Sequence, residues 1–281
     1  ALQNQVAKLN NTNDYVYVCN GIDDNVKLSQ LAEAWLNGGT DNGSKIIRVY
    51  GNFGATAAYA GAGTTASPYR WFIVGGDTSK SRRIILDFSG CGEINLPITA
   101  GTFNYIFYGA DAHIIGANVV ANQTGTDTVL RGFSADAGEV FAENCRFWIS
   151  GYKDSRVGQS GVFTNCFAEV ANIVNNSYCF LPFVESLLRI NGGEYYAYTG
   201  NSSLQSAIIG QSSANCVSIL NGVNAPKVER TGYYQTHALL QWTGGGQLRC
   251  RDLITTLPNI VVTGISDISG TIAINKTGIM K

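Results

Sequence analysis

Acidic residues in the middle of the chain could share acid–base chemistry. Two suitably separated carboxyl groups can divide such work, because one donates a proton and the other accepts one. The donor would need a pKa that burial raises. The weak candidates for this catalytic role are Asp136, Glu139, Glu143 and Glu169. The alternative is that each is a solvated or structural carboxylate, and the sequence leaves both possibilities open.

Aromatic side chains recur close to these carboxylates. Trp148 and Glu169 share one offset from an Asn that recurs in this region. Tyr195 has the same offset further along the chain, unless the extra Gly193 moves Tyr196 into that place. Such side chains could offer a ligand flat rings and hydroxyl groups. Alternatively, they fill the core or a subunit interface.

A polar loop, Ser150–Arg156, follows the first of these aromatic positions. It carries Tyr152, Asp154 and Arg156, so it combines an aromatic ring with both signs of charge. This composition is typical of the rim of a ligand site. The alternative is an ordinary exposed bend.

The seven cysteines do not have the spacing of a metal site or of a disulfide framework. No CxxC motif is present, and the two histidines are His113 and His237. An odd number of cysteines spread over 281 residues also argues against structural disulfides. We therefore predict no metal and no cofactor. We expect free thiols that fill small buried spaces in a protein folded in a reducing compartment.

Charge and composition exclude several classes of function. The net charge of −1 does not indicate the clustered Lys and Arg that nucleic-acid binding requires. No apolar run reaches the roughly 18 residues of a transmembrane helix, and no basic segment precedes an apolar one at the N-terminus. Neither a membrane partner nor an intact signal peptide is expected. With 33 Gly, 25 Asn and 14% charged residues, the composition favours an all-β protein that turns often.

Short apolar runs, separated by small polar residues, continue from Lys45 almost to the C-terminus. Several of them end in Asn, at positions 144, 165, 191 and 221, which are 21, 26 and 30 residues apart. Such imperfect periods predict a solenoid, a parallel β-helix of about nine coils that stack to bury one core. An Asn in the left-handed conformation at each bend could stack on the Asn of the next coil.

One amphipathic helix precedes the repeats. Apolar residues recur at helical spacing over Leu28–Leu36, and Asn37-Gly38 is a signal for the helix C-terminus. Asp23 or Asp24 suits the N-cap position.

The segment Asn20–Leu31, NGIDDNVKLSQL, resembles the opening motif of the pectate-lyase-like right-handed β-helices. That superfamily includes bacteriophage tailspikes and tail-fibre appendages, in which a short helix plugs the N-terminal end of the β-helix. A plug is needed because an open solenoid end exposes core and unpaired strand edges. Asn25 stands where the motif commonly has Thr.

This resemblance implies a division of the chain into three regions. Residues 1–13 would be a stalk remnant or tail, in which Leu2, Val6 and Leu9 have the spacing of one heptad. Residues 14–44 would form the capping strand and helix. Residues 45–281 would form a right-handed parallel β-helix with the C-terminal strands.

The resemblance also implies a partner and a place of action. We expect a parallel homotrimer that recognises a bacterial surface glycan and joins other virion tail proteins through its N-terminus. It would fold in the host cytoplasm and act, as part of the virion, at the bacterial surface.

Two alternatives stay open. One is a polysaccharide depolymerase, either a hydrolase or a lyase, on the same β-helix. The other is a purely structural trimeric shaft. Coils lie about 4.8 Å apart, so carboxylates at like positions of neighbouring coils could form a hydrolytic pair. A lyase often needs several Asp residues around calcium, and the sequence has no Asp-rich cluster beyond Asp23-Asp24.

Overall fold

The structure is a computed structural model. It describes residues 3–5, 8, 13–38, 43–75, 82–109, 111–134, 139–182, 186–204, 206–210, 216–226, 230–234, 238–240, 246–251, 254–255 and 272–275. The three heptad positions of the N-terminal tail, Leu2, Val6 and Leu9, lie outside these residues.

The amphipathic helix forms as predicted. Helix α1 spans Asp24–Asn37 and buries the side chains of Leu28, Leu31, Ala32, Trp35 and Leu36. These residues belong to the same hydrophobic core as the strands. No helix in the described part of the chain is both long enough and apolar enough to cross a bilayer.

Asp23 and Asp24, at the start of the helix, have roles other than the predicted cap. Asp23 occupies the N-cap position, but its side chain makes no capping hydrogen bond and pairs with Lys27 at 2.9 Å. The Asp24 carboxylate is fully buried. It accepts hydrogen bonds at 2.8–2.9 Å from the Tyr17 hydroxyl and from the backbone amides of Asn20, Gly21 and Gly54. Because a buried charge needs such partners, Asp24 fixes the first strand, the helix and the loop around Gly54 to one another.

Parallel strands are the main secondary structure in the rest of the described chain. A ten-stranded sheet contains, in spatial order, β1 (Asp14–Val18), β2 (Gly43–Gly51), β4 (Arg82–Cys91), β7 (Ala112–Ile115), β10 (Val140–Glu143), β12 (Gly161–Thr164), β15 (Leu187–Asn191), β18 (Cys216–Asn221), β21 (Gly246–Arg251) and β23 (Ile272–Asn275). A seven-stranded sheet contains β5 (Ile94–Leu96), β8 (Asn118–Gln123), β11 (Arg146–Gly151), β13 (Phe167–Asn172), β16 (Glu194–Thr199), β19 (Asn224–Ala225) and β22 (Ile254–Thr255).

Two three-stranded sheets complete the architecture. One contains β3 (Tyr69–Ile73), β6 (Phe103–Tyr108) and β9 (Val129–Phe133), and the other contains β14 (Ser177–Phe180), β17 (Ser206–Ile209) and β20 (Ala238–Leu240). Two isolated parallel bridges, Arg131↔Arg156 and Gly158↔Phe180, connect the first of these sheets with the second. The chain therefore contributes strands in turn to the ten-stranded sheet, the seven-stranded sheet and this composite third face. Within each face, a new strand pairs in parallel with the strand that the chain contributed there before.

At the bends between the ten-stranded and seven-stranded sheets, the left-handed residues agree with the predicted Asn positions in two cases and differ in two others. Asn144 and Asn165 have the predicted left-handed conformation, with φ of 53° and 51°. At the two later bends, the left-handed residues are Gly192 and Gly222. Each of them lies one position after the Asn that was expected to be left-handed, Asn191 or Asn221. A Cβ on Gly192 would lie 2.5 Å from the Asn165 side-chain oxygen, so a residue without a side chain fits this bend.

An asparagine contact between neighbouring strands does form, but before the bend. Asn191 pairs with Asn221 in the parallel register of β15 and β18. The Asn221 amide donates to the Asn191 side-chain oxygen at 2.9 Å. The amide hydrogen bonding is thus the predicted kind, displaced by one residue from the predicted place.

The core contains a continuous column of aromatic rings, which we call the inner aromatic column. Its members are Phe72, Phe107, Phe133, Phe163, Phe180 and Tyr195, with successive ring centroids 4.7–5.8 Å apart. The cysteines with described side chains are free thiols, and Cys145, Cys166, Cys179 and Cys216 are buried. Burial raises the pKa of Cys179, as expected for a small core residue. The side chain of Cys250 is outside the described part.

Candidate functional site

The outer surface of the seven-stranded sheet carries a second group of aromatic side chains. Trp148 on β11, Glu169 on β13 and Tyr196 on β16 are register partners, so they lie side by side. Phe167, two residues before Glu169, lies between them: its ring is 4.6 Å from Trp148 and 5.7 Å from Tyr196. All of these side chains are partly exposed. We call Trp148, Phe167 and Tyr196 the outer aromatic row.

Charged groups border this row on both sides. The Arg146 guanidinium lies 5.6 Å from the centre of the Phe167 ring. The Arg230 guanidinium is hydrogen bonded to the Glu169 carboxylate, and it also lies 4.5 Å from the Tyr233 ring. An ion pair whose guanidinium also contacts an aromatic ring holds its long side chains in one geometry. The surface is therefore ordered before a ligand binds.

Hydrogen bonds also orient the tyrosine of the row. The Tyr196 hydroxyl donates to Glu194, and the Asn224 amide donates to the other oxygen of the same carboxylate at 2.8 Å. Burial, followed by the bond to Glu194, raises the pKa of Tyr196. The Tyr198 ring lies parallel to that of Tyr196, with 6.3 Å between centroids, and burial raises the pKa of Tyr198 to about 12. Both hydroxyls are therefore protonated at neutral pH, but that of Tyr196 already donates to Glu194 and Tyr198 is buried.

Tyr195 faces the opposite side of the sheet. It pairs with Ala168, its side chain is 0% exposed, and its ring is 5.7 Å from Phe180 in the core. The expectation that Tyr195 belongs to a ligand surface is therefore corrected in favour of Tyr196. The physical reason is the extra Gly193, because one added residue exchanges the two faces of a strand.

The Ser150–Arg156 loop lies at the corner between the seven-stranded sheet and the third face. Tyr152 is partly exposed, and its backbone amide donates to the Thr128 carbonyl at 3.0 Å. Asp154 is 41% exposed and binds Arg156, whose side chain is only 5% exposed. Asp154 and Arg156 therefore belong to the third face and not to the outer aromatic row.

The other predicted carboxylates are not brought to this surface. Glu139 and Glu143 are associated with the ten-stranded sheet, whereas Glu169 is on the seven-stranded sheet. Glu139 pairs with Arg83 at 3.7 Å, and Glu143 lies 3.0 Å from His113 Nε2. His113 thus has a partner that sequence inspection did not identify, because the contact crosses from β7 to β10. Asp136 and His237 lie outside the described residues.

Several residues of the surface were missed by inspection of the sequence. Phe167 and Glu194 could have been found by continuing the alternation of outward residues along β13 and β16. Arg230 comes from a separate segment and had no sequence signal. In the described residues, no group of three or more His, Cys, Asp and Glu side chains could hold a metal ion.

Chemically, the arrangement presents aromatic faces next to hydroxyl and charged groups. Aromatic rings can cover the C–H faces of a sugar, while Tyr hydroxyls and charged groups bind its polar edge. Comparisons with protein-family models, with curated proteins and with solved structures find no match for the chain.

Proposed function

We propose that the protein is a right-handed parallel β-helix of the phage tail-appendage type, which recognises bacterial surface polysaccharide as a homotrimer. The parallel order of the sheets supports the β-helix, since the chain returns to each face and pairs with its preceding visit. Right-handed crossovers are the strong rule for parallel strands. The helix that adjoins the first strands, with its buried Asp24, supports the role of an N-terminal plug.

The outer aromatic row carries the proposal for glycan recognition. Three aromatic side chains on adjacent strands form a partly exposed surface that is bordered by Arg and Glu. Partly exposed aromatic surface of this kind commonly marks an interaction site.

Binding without cleavage is favoured over hydrolysis. Glu169 and Glu194 both face outward on neighbouring strands, but their carboxylates are already engaged, with Arg230 for the first and with Tyr196 and Asn224 for the second. A hydrolase would instead need one carboxyl group free to donate a proton and one free to act as nucleophile or base.

The decisive experiment compares two matched tyrosine variants on an array of bacterial capsule and lipopolysaccharide glycans. Tyr196→Ala removes a ring of the outer aromatic row, whereas Tyr50→Ala removes a tyrosine that is 44% exposed on β2 of the ten-stranded sheet. Loss of one stacked ring costs about 1–2 kcal/mol, so we expect Tyr196→Ala to weaken binding about tenfold. Tyr50→Ala should bind like the wild type.

Four further outcomes would replace the proposal. New reducing ends without unsaturated ends would show a hydrolase, and new reducing ends together with unsaturated ends would show a lyase. No bound glycan together with a trimer that persists in detergent would indicate a structural shaft. A monomer at micromolar concentration in sedimentation analysis would contradict the appendage as a whole.

A further inference from the structure

A short segment of the chain lies against one end of the outer aromatic row. It spans residues 230–234, and we call it the strap. Its Arg230 guanidinium is hydrogen bonded to the Glu169 carboxylate on β13. At its other end, the backbone of Tyr234 exchanges two hydrogen bonds with that of Thr199 on β16, at 2.7 and 2.8 Å. The strap therefore connects two adjacent strands of the seven-stranded sheet through contacts outside the sheet's own pairing.

The strap covers an aromatic ring that would otherwise extend the row. Side chains alternate along β16, so Tyr198 lies on the same face of the sheet as Tyr196. Tyr198 is nevertheless only 2% exposed, although it is not one of the described residues that form the hydrophobic core. Its ring lies 6.5 Å from that of Tyr233 in the strap, and the Arg230 guanidinium lies 5.7 Å from its centre. The strap thus contributes to the burial of a ring on the outward face.

The strap also brings a charged group to the middle of the row. Glu169 lies between Trp148 and Tyr196 in the register of the three strands, and Arg230 is bound to Glu169. The Arg230 side chain is 34% exposed, so it reaches the surface at this point. A ligand chain that contacted Trp148 and Tyr196 together would therefore meet the Arg230 side chain on its way along the row.

The contacts that hold the strap are of a kind that opens easily. Its turn at Thr231-Gly232 is exposed, and a Cβ on Gly232 would have no atom within 4 Å. Tyr234 is 47% exposed, and the ion pair of Arg230 is partly open to water, where such pairs contribute little to stability. Segments with few buried apolar contacts can open locally while the rest of the fold stays intact. Since β13 and β16 pair directly with each other, the sheet does not depend on the strap.

We propose that the strap is a gate on the outer aromatic row, which the Arg230–Glu169 ion pair closes and which opens when a ligand chain lies along the row. Opening uncovers Tyr198 and lengthens the row by one ring. The ordered surface with Arg230 on Glu169 is then the closed form, and the apparent affinity is reduced by the fraction of molecules that are closed. The gate rests on the proposed glycan-binding function and adds regulation of the same surface.

The first test measures opening without a ligand, by amide hydrogen exchange of the full chain read out by mass spectrometry. The amides of Thr199 and Tyr234 are bonded to each other's carbonyl groups in the closed strap. Arg230→Gln removes the ion pair, so these amides should exchange about two- to fivefold faster, the range expected for an exposed pair. Arg230→Lys keeps the charge and should exchange nearly like the wild type, as should Arg189→Gln, which changes an exposed arginine on β15. Equal exchange in Arg230→Gln and the wild type would overturn the gate.

The second test measures the affinity of the same variants for the capsule and lipopolysaccharide glycans that the wild type binds on the array. A gate predicts that Arg230→Gln binds about two- to fivefold more tightly, because more molecules are open. Weaker binding would show that the strap is a fixed wall of the site, and unchanged binding would show that it does not act on the row; either result would overturn the gate.

Two further comparisons separate misfolding and the failure of the parent proposal from failure of the gate. Circular dichroism detects unfolding of Arg230→Gln, and Tyr233→Ala, which removes the strap's ring from Tyr198, then serves as the second variant with the same expected signs. If the wild type binds no glycan, the glycan-binding function fails and the gate fails with it. If the wild type binds and Tyr196→Ala weakens binding while neither strap variant strengthens it, the gate alone is overturned.

Discussion

The inner aromatic column and the outer aromatic row are both series of rings on successive strands, yet they differ in composition. The column consists of Phe residues, with Tyr195 at one end, and its members are almost fully buried. The row contains Trp, Phe and Tyr, and Arg and Glu groups border it. The column needs rings without polar groups because buried hydroxyls require partners. The row can use polar rings because water or a ligand reaches them.

The largest effect is expected in the inner column. Phe107 is fully buried and lies 5.1 Å from Phe72 and 5.4 Å from Phe133, measured between ring centroids. Phe107→Ala should lower the free energy of unfolding by about 4 kcal/mol, since it leaves a large cavity. Guanidinium unfolding at fixed protein concentration measures this, with Phe107→Leu as control at about 1.5 kcal/mol. Equal effects of the two variants would show that the column is loosely packed.

The second-largest loss of stability is expected at Gly193, in the bend just before β16, the strand that carries Tyr195 and Tyr196. Gly193 has a φ of 89°, and a Cβ there would lie 2.1 Å from the Cys166 carbonyl oxygen. Gly193→Ala should destabilise the protein by roughly 2–3 kcal/mol through strain and close contact. Gly222→Ala is the matched control: its φ is 62° and no atom lies within 4 Å of the added Cβ, so about 1 kcal/mol is expected. The same unfolding curves decide whether contact adds to strain.

A much smaller effect on stability is expected in the outer row. Trp148 is partly exposed and its main ring contact is Phe167 at 4.6 Å. Trp148→Ala should lower the free energy of unfolding by about 1–2 kcal/mol, because one part of the side chain stays in contact with water and its removal leaves no closed cavity. A loss as large as that of Phe107→Ala would make Trp148 a core residue and would weaken the case for a ligand surface.

The smallest effect should come from the hydroxyl of Tyr195. This buried phenol has no hydrogen-bond partner, and burial raises its pKa. Tyr195→Phe removes a desolvated polar atom, so stability should stay unchanged or rise by up to about 1 kcal/mol. Thermal unfolding of the variant beside the wild type checks this, and a clear loss of stability would show that the hydroxyl has a partner after all.

The repeats of short strands were predictable because each strand of the ten-stranded sheet ends at a similar bend. The end of an apolar strand needs a residue that tolerates the left-handed conformation, and Asn144 and Asn165 satisfy this need in the sequence as in the structure. The helix was equally clear from its apolar spacing. The predicted alignment of the bends is wrong at Asn191, because Gly192 has the left-handed conformation there. The sequence alone does not distinguish an Asn within a strand from an Asn at a bend.

The contacts between coils could not be predicted to the same extent. Arg131 and Arg156 become neighbours through a register that depends on the length of each intervening loop. The same holds for Glu169 and Arg230, which are 61 residues apart. The resemblance placed Asp24 in the opening motif but did not indicate that its carboxylate joins separate parts of the fold. Its four hydrogen-bond donors come from three segments of the chain, so their contact could not be read from the sequence.

The strictly successive pairing of the strands has a consequence for biosynthesis. Within the ten-stranded sheet, each strand from β2 onward pairs with a strand that has already been made, so the pairing never has to wait for the C-terminal end of the chain. Strands could therefore be added one coil at a time as the polypeptide leaves the ribosome, starting from the segment that Asp24 holds together. We expect ribosome-bound fragments that end shortly after β9 to resist proteolysis already in their first coils.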